Sequence, residues 1–451
     1  MKDLTRGSIY KNFIIFTLPL VLTGVLSQSF SIINSIMVGQ LLGDSDLAYI
    51  GSTSSVIEVA NAFVWGFGTG AAIYVGKLFG AKEMPKMVNA IKTSLFMLVA
   101  LAFSISLICI GAYRPIFSFL KVGEDIYKGS FLYYALMIGG LSIFTFNWGS
   151  VYIFNAIGDS SFPFITSIIS TFATVAGNAL VLAVFKWGVW GTALVSIMVA
   201  LIIDIIYIFK YINLFKSIGA EKQKMVFVKE DVINTIKLGI PCLMQQSVMY
   251  ISGAAVQPLI NSISTSAIAA YSICLRLYSL NANIFGNISK CLSAYCTQSI
   301  GSNQIDKIKK GIKATFVLAC SASIPLMAIY ILFSKGVSGL FFTDVTSESA
   351  IYVQRYILLC VPFFIFQVLN NMFHNFFRGV MVPQIALYTT AFYTVVRIIA
   401  TNCLVPVWQM DGVFAGFIIA WVLECLMSST IYISNKWKSA EYIMLETEKL
   451  K

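Results

Sequence analysis

Apolar residues in this chain come in long unbroken runs and do not alternate with polar ones. Stretches long enough to cross a bilayer, about 20 residues each, are divided by short segments that hold most of the charge. The runs predict twelve transmembrane helices, at roughly 13–39, 48–77, 90–112, 131–156, 162–185, 189–211, 236–262, 268–298, 313–334, 352–377, 383–407 and 412–434. Several are longer than a bilayer requires, which implies tilt or extension beyond the lipid. Only the stretch from Lys216 to Glu230 is polar enough to read as a linker. We therefore expect an N-terminal six-helix lobe over 1–215, a cytoplasmic linker over 216–230, and a C-terminal six-helix lobe over 231–451 that ends in a short cytoplasmic tail.

The pattern is written twice. Landmarks at Leu18-Pro19-Leu20, Leu47-Ala48-Tyr49 and Lys77-Leu78-Phe79-Gly80, with a basic segment up to Lys92, mark the first copy. They return as Gly239-Ile240-Pro241, Ile268-Ala269-Ala270-Tyr271 and Gln298-Ser299-Ile300-Gly301, with a basic segment up to Lys313. Pro19 and Pro241 stand 222 positions apart; Ala48 and Ala269, Gly80 and Gly301, and Lys92 and Lys313 stand 221 apart. Further on, Phe154-Asn155-Ala156-Ile157-Gly158 before Pro163 is echoed by Phe376-Phe377-Arg378-Gly379 before Pro383. Self-similarity at half the chain length is how the internal repeats of transporters show themselves. With six helices per copy, both halves start on the same side, so the repeat is parallel. The expected fold class is all-α integral membrane: twelve transmembrane helices in two pseudo-symmetric six-helix lobes around a central cavity.

Composition changes the picture only by narrowing it. Of 451 residues 58% are hydrophobic and 11% charged, where a soluble domain carries about 25% charged residues. The net charge of +11 is a topology signal. Twenty-two lysines and arginines fall on the tails and even-numbered loops and six on the odd-numbered side, which places both termini of this plasma-membrane protein in the cytoplasm. No nucleic acid partner is called for; the expected partners are the lipid bilayer and small amphiphilic or cationic molecules, with the protein a monomer. The first run has no small-residue cleavage pattern and reads as a retained helix. The nine cysteines lie in apolar runs without a C-x-x-C, so no metal or redox site is indicated. Gly66, Gly68 and Gly70 follow no strand, and they predict close helix packing rather than a nucleotide loop. No G-x-x-x-x-G-K-[ST], H-E-x-x-H or G-x-S-x-G occurs, so neither ATP-driven transport through a P-loop nor enzymatic chemistry is expected. An ion gradient is the default energy source, and H⁺ or Na⁺ takes the place of a cofactor.

Pro19 and Pro241 fall inside helices, where each removes a hydrogen bond and forces a kink. Polar neighbours that would take up the freed carbonyls are Thr23, Ser27 and Gln28 in one copy and Gln245, Gln246 and Ser247 in the other. Gln28, Gln245 and Gln246 are accordingly candidates to line a substrate cavity. Either a static bend or one that changes during transport fits the residues. Ionisable groups inside spans cost at least about 2.5–3.5 kcal/mol and are functional hypotheses by default. They are Glu58, Asp204, Arg276, Lys290, His374, Arg397 and Glu424. Glu58 sits mid-span among Ser52, Thr53, Ser54, Ser55 and Asn61, a setting in which a buried carboxylate holds a proton. Arg397 and Glu424 lie at similar depth on consecutive spans and are expected to pair. Aromatic residues crowd the fourth and tenth spans; Tyr133, Phe144 and Phe363 are candidates for a surface that receives flat cationic or amphiphilic molecules.

Taken together, Leu18-Pro19-Leu20, Asn34-Ser35-Ile36-Met37-Val38-Gly39, Phe79-Gly80-Ala81-Lys82, Asn155-Ala156-Ile157-Gly158-Asp159, Gly188-Val189-Trp190-Gly191, Ala269-Ala270-Tyr271-Ser272-Ile273 with Arg276, and Arg378-Gly379 resemble the multidrug and toxic compound extrusion (MATE) family. That family lies within the multidrug/oligosaccharidyl-lipid/polysaccharide flippase superfamily, and the likeness is greatest to its bacterial multidrug-export branch. The resemblance covers nearly the whole chain. It implies a secondary exporter of organic cations or amphiphilic drugs, working by alternating access in exchange for Na⁺ or H⁺; a flippase for a lipid-linked oligosaccharide is the alternative. It also implies an amino-lobe cation site, which here would be Asn34, Thr174, Asn178 and Ser196. Two of these replace carboxylates common in the family, so none of the four titrates near neutral pH. The glutamate that some members carry in the seventh helix is absent, that stretch reading Met244-Gln245-Gln246-Ser247. A coupling proton would then fall to Glu58, with Glu424 in reserve.

Overall fold

A computed structural model describes residues 2–438 and 442–446 apart from 43, 121 and 343, without the side chains of 31–32, 34–36 and 38–48. The first copy of the repeat runs α1 (Ile9–Leu42), α2 (Asp44–Gly80), α3 (Met84–Gly111), short α4 (Tyr113–Phe119), α5 (Tyr127–Gly139), α6 (Leu141–Ala156), α7 (Ser161–Ala179) and α8 (Val189–Ser217). The second runs α9 (Lys229–Asn261), α10 (Thr265–Gly301), α11 (Asp306–Leu332), short α12 (Ser334–Gly339), α13 (Glu348–Cys360), α14 (Phe364–Gly379) and α15 (Pro383–Ile433).

Among the described residues eight helical stretches are long and apolar enough to span by themselves, and the α5–α6 pair, bent by 43°, makes nine. The expected twelve arise from three further facts. α15 is two spans in one, broken at Gln409 (φ 49°, ψ −122°) just past Pro406. Close packing follows at once, since a Cβ on Gly412 would press on the Leu404 carbonyl. α9 and α10 are more polar than most of the others, with Glu230 and Asp231 in the first turn of α9 and Arg276, Lys290 and three asparagines on α10.

The duplication is visible in the backbone as well as in the residues. Lys82 after α2 and Asn303 after α10 both adopt left-handed conformations, φ 58° and 55°, at positions 221 apart. The short helices α4 and α12, which lie between the spans expected from hydropathy, also begin 221 residues apart. An apolar side chain is exposed at the end of each, Phe119 on α4 and Leu340 just after α12.

The chain packs into two compact units: one of Met1–Asp3 with Leu22–Leu243, the other of Leu4–Val21 with Met244–Lys451. No boundary falls in the 216–230 segment, where the sequence placed its linker. Besides the one before Leu4, the boundaries lie inside helices, α1 after Val21 and α9 after Leu243, again 222 residues apart. The reason is chemical. Segment 216–230 is strapped to α3: Asn89 donates to the Val226 carbonyl at 2.9 Å and accepts from the Val226 amide at 2.9 Å, and Lys92 donates to the Gln223 carbonyl. Next along the chain, buried Asp231 accepts from Tyr74 at 2.8 Å and Asn89 at 2.6 Å.

In the first unit α2 packs on α3, α5 and α6, and α8 covers α5, α6 and α7. The opening half of α9 lies against α2 at backbone distance. A Cβ on Gly66 would overlap the Leu243 backbone, and one on Gly70 would overlap Gly239. This is the small-residue helix contact that membranes favour. In the second unit α10 is central, against α11, α13 and α14. The start of α1 joins this unit. Leu4 donates its amide to Gln298 at 2.9 Å, and Lys307 donates to the Thr5 carbonyl at 2.7 Å. Phe13 meets Tyr295 edge-on at 5.2 Å, within a cluster that includes Phe16, Leu20 and Cys291.

Gly70→Leu is expected to destabilise the protein by at least about 1–3 kcal/mol, because the obstacle to a new side chain is backbone that cannot rotate aside. Gly51→Ala, on the same helix with open space at its Cβ, is expected to leave stability unchanged or raised. Thermal unfolding of the two detergent-purified variants, followed by size-exclusion chromatography, measures the difference. Equal midpoints would show that the α2–α9 contact is not limiting.

Candidate functional site

The amino-lobe residues come from α1, α7 and α8. Thr174 and Asn178 stand one turn apart on α7 and are both buried. α7 crosses α8 closely at Gly177 and Val195, which brings Ser196 to the same crossing. The hydroxyls donate back along their own helices, Thr174 to the Ser170 carbonyl at 2.7 Å and Ser196 to the Thr192 carbonyl at 2.8 Å. Their oxygens keep lone pairs for an incoming partner. Two residues after Asn178 the helix widens into a π-turn over Leu180–Val184, a local form common at functional sites. The side chain of Asn34 lies outside the described residues.

The acids fall differently from expectation. Glu58 is exposed on α2, although its hydroxyl-rich surroundings predict burial. Those hydroxyls are engaged elsewhere: Thr53 donates to the Tyr49 carbonyl at 3.0 Å, Ser54 to the Gly51 carbonyl at 3.0 Å, and Ser52 pairs with Ser130 at 2.9 Å. Among the described residues the acids buried in mid-helix are Asp204 (7% exposed) and Glu424 (3%), whereas buried Asp231 sits in the first turn of α9. The span expected over 189–211 leaves Asp204 towards its end, but α8 runs on to Ser217, which makes Asp204 its midpoint. The Asn147 side chain of α6 lies beside its carboxylate, and Oδ1 has no hydrogen-bond partner among the described residues.

Glu424 has an equivalent setting in the second unit. Asn370 of α14 donates to Oε2 at 2.9 Å, and His374, one turn further, approaches Oε1 at 3.1 Å. His374 also lies 3.2 Å from the Thr389 hydroxyl. The asparagines are 223 positions apart and the acids 220, so the repeat places one carboxylate and one amide at corresponding points of each copy. The expected Arg397–Glu424 pair is not formed. Arg397 donates to Ser252 at 3.1 Å and Tyr271 at 3.3 Å and stacks 4.2 Å from the Phe417 ring. The two residues share a depth but point to different neighbours around their helix axes.

Of the substrate-cavity candidates, Gln245 is fully buried with both ends of its amide engaged: it accepts from Arg378 at 2.6 Å and donates to Thr390 at 2.8 Å. It ties helices together. Gln28 and Gln246 are half-buried. Tyr133, Phe144 and Phe363 are also half-buried, Phe144 against Trp148 at 6.2 Å and Phe363 against Phe366 at 6.1 Å. Pro19 lies within α1 and Pro241 within α9, each two or three residues before a unit boundary. Asp204 and His374 are the residues that sequence reasoning undervalued. Asn147 and Asn370 stand at the seventh position of α6 and of α14, a correspondence that the 221–222 offset of the sequence misses by one or two residues.

A family model described as MatE matches the chain twice, over residues 19–180 and 241–402. The copies are 222 positions apart at both ends, the offset of the prolines and of the unit boundaries. Probable multidrug resistance protein YoeA of Bacillus subtilis (strain 168) is 23% identical over 362 residues, covering 79% of this chain and 78% of that protein. Probable multidrug resistance protein YpnP of the same organism is 21% identical over 453 residues, covering 99% of each. A solved structure of a multidrug resistance MATE family transporter of the MOP superfamily, in its outward-facing conformation, shares the fold with TM-score 0.88 at 15% identity, covering 100% of this chain and 99% of that one. The chain belongs to the MatE family: it is a multi-pass MATE transporter, not an enzyme.

Proposed function

We propose that this protein exports organic cations and amphiphilic drugs across the plasma membrane by alternating access, with both termini cytoplasmic and a single chain sufficient. Protons drive the exchange in this reading, and they ride on Asp204 and Glu424. The observation that supports it most is the pair of buried mid-helix carboxylates, each beside an asparagine and away from a lysine or arginine. A carboxylate kept at such a depth without a permanent cation gains from picking up a proton, and so is fitted to carry one. The cluster of Thr174, Asn178 and Ser196 supplies only neutral oxygens, and it suits a sodium ion less well without a charge beside it. The drug class follows from the relatives' names and from the half-buried aromatic rings on α5, α6 and the turn before α14, which suit flat cations.

Asp204→Asn and Glu424→Gln are expected each to reduce proton-driven ethidium export at least about tenfold in proteoliposomes, with ethidium binding still measurable. Glu58→Gln is expected to export normally. Full export by both amide variants with loss in Glu58→Gln would return the coupling role to Glu58, and export driven only by an imposed Na⁺ gradient would remove the proton from the scheme.

Phe144→Ala and Phe363→Ala are expected to change relative resistance among drugs, up to about tenfold for the most cationic, since a cation–π contact contributes about 0.5–2 kcal/mol. Drug susceptibility of cells with matched protein levels measures this. A parallel loss across all drugs would assign these rings to packing.

A further inference from the structure

The second unit contains a cavity of about 270 Å³ that plays no part in the ion coupling described above. Its walls come from α9, α10, α13 and α15, and the chief side chains are Tyr271, Tyr278, Tyr393, Phe417, Trp421 and Arg397. Aromatic walls with one charged group are the ordinary make-up of a small-molecule pocket. The charge here is positive and buried: Arg397 is 6% exposed.

What surrounds Arg397 decides what the cavity can hold. Its hydrogen-bond acceptors are the hydroxyls of Ser252, Tyr271 and Tyr393, and all are neutral. No carboxylate lies within 4.0 Å of it among the described residues. The nearest acids along α15 are engaged by others: Asp411 by Arg355 at 2.8 Å, and Glu424, one turn beyond Trp421, by His374 and Asn370. A guanidinium has five N–H groups, more than these three hydroxyls engage. Its face is laid on the Phe417 ring at 4.2 Å, which holds the plane still and leaves its edge to donate. A planar donor edge in an apolar enclosure matches a carboxylate, sulfonate or phosphate and repels a cation.

We propose that this cavity binds a small anionic amphiphile, an aromatic or apolar body of one or two rings whose acidic group is received by Arg397. The size argues for a compact body, because 270 Å³ falls just under the usual range of about 300–1,000 Å³ for ligand pockets. The acidic group belongs either to a free organic anion or to a lipid headgroup. This site extends the range of chemistry beyond cations and stands whether or not cation export is correct.

The probe is 2-naphthoate, with neutral 2-naphthamide as its isostere, titrated calorimetrically into the purified full-length protein in neutral detergent. The carboxylate is expected to bind about tenfold or more tighter than the amide, the increment of a hydrogen bond to a charged partner. Arg397→Gln should abolish that preference. Gly253→Leu should weaken both ligands, since Gly253 lines the cavity, has nothing within 4 Å of its Cβ, and leaves Arg397 in place. If Arg397→Gln fails to fold, Gly253→Leu carries the test alone. Displacement of the probe by phosphatidylglycerol supports the site with a headgroup as its occupant, and no displacement supports it with a soluble anion. Equal binding of acid and amide, a preference that survives Arg397→Gln, or naphthoate binding undiminished by Gly253→Leu overturns the proposal. Ethidium export by the same preparation in proteoliposomes reports separately on the cation-transport reading.

Discussion

The close approach of α2 and α9 is the constraint on which the first unit rests. Inside a bilayer hydrophobic burial cannot distinguish a helix neighbour from a lipid tail, so contact has to come from shape. Gly66 and Gly70 remove side chains at successive turns of α2, and Gly239 removes one on α9 where they meet. Once the backbones touch, the first turn of α9 is held near the C-terminal end of α2. There Asp231 accepts hydrogen bonds from Tyr74 and Asn89, and the segment before it is drawn onto α3. A stretch that looks like a free linker by composition thus becomes part of a packed unit.

The second organising fact is how unevenly charge is housed. Each copy of the repeat buries one carboxylate mid-helix beside an asparagine, whereas the most hydroxyl-rich acid setting, around Glu58, leaves its carboxylate exposed. The second unit also buries a cation, Arg397, which aromatic rings and hydroxyls surround in place of an acid. Buried ionic groups of this kind add little to stability and are costly when only one partner is present. Their retention at matched points of a duplicated fold therefore points to work done by the charge.

Much of this was legible in the residues alone. Hydropathy located the spans, the 221–222 offset gave the duplication, and the glycine run announced helix contact. The break at Gln409 was implied by the gap between the last two apolar runs. These are properties of position along one dimension. What the sequence hid depends on rotation about each helix axis and on where helices end. Arg397 and Glu424 share a depth, which suggested a pair, yet they face different neighbours. Asp204 seemed close to water until α8 proved to extend to Ser217. Gln245 looked like cavity lining, but its two amide ends meet Arg378 and Thr390, residues more than 130 positions away.

The assignment of the first turns of α1 to the second unit has a consequence for how the protein is made. Leu4 hydrogen-bonds Gln298, so the N-terminal helix is inserted long before its final neighbours exist. At about 5–20 residues per second of synthesis, the gap of 294 positions amounts to roughly 15–60 s. Throughout that interval Phe13, Phe16 and Leu20 have only lipid or the insertion machinery to cover them. Assembly of the first membrane helix therefore waits on the ribosome, and its last packing step comes after most of the chain has emerged.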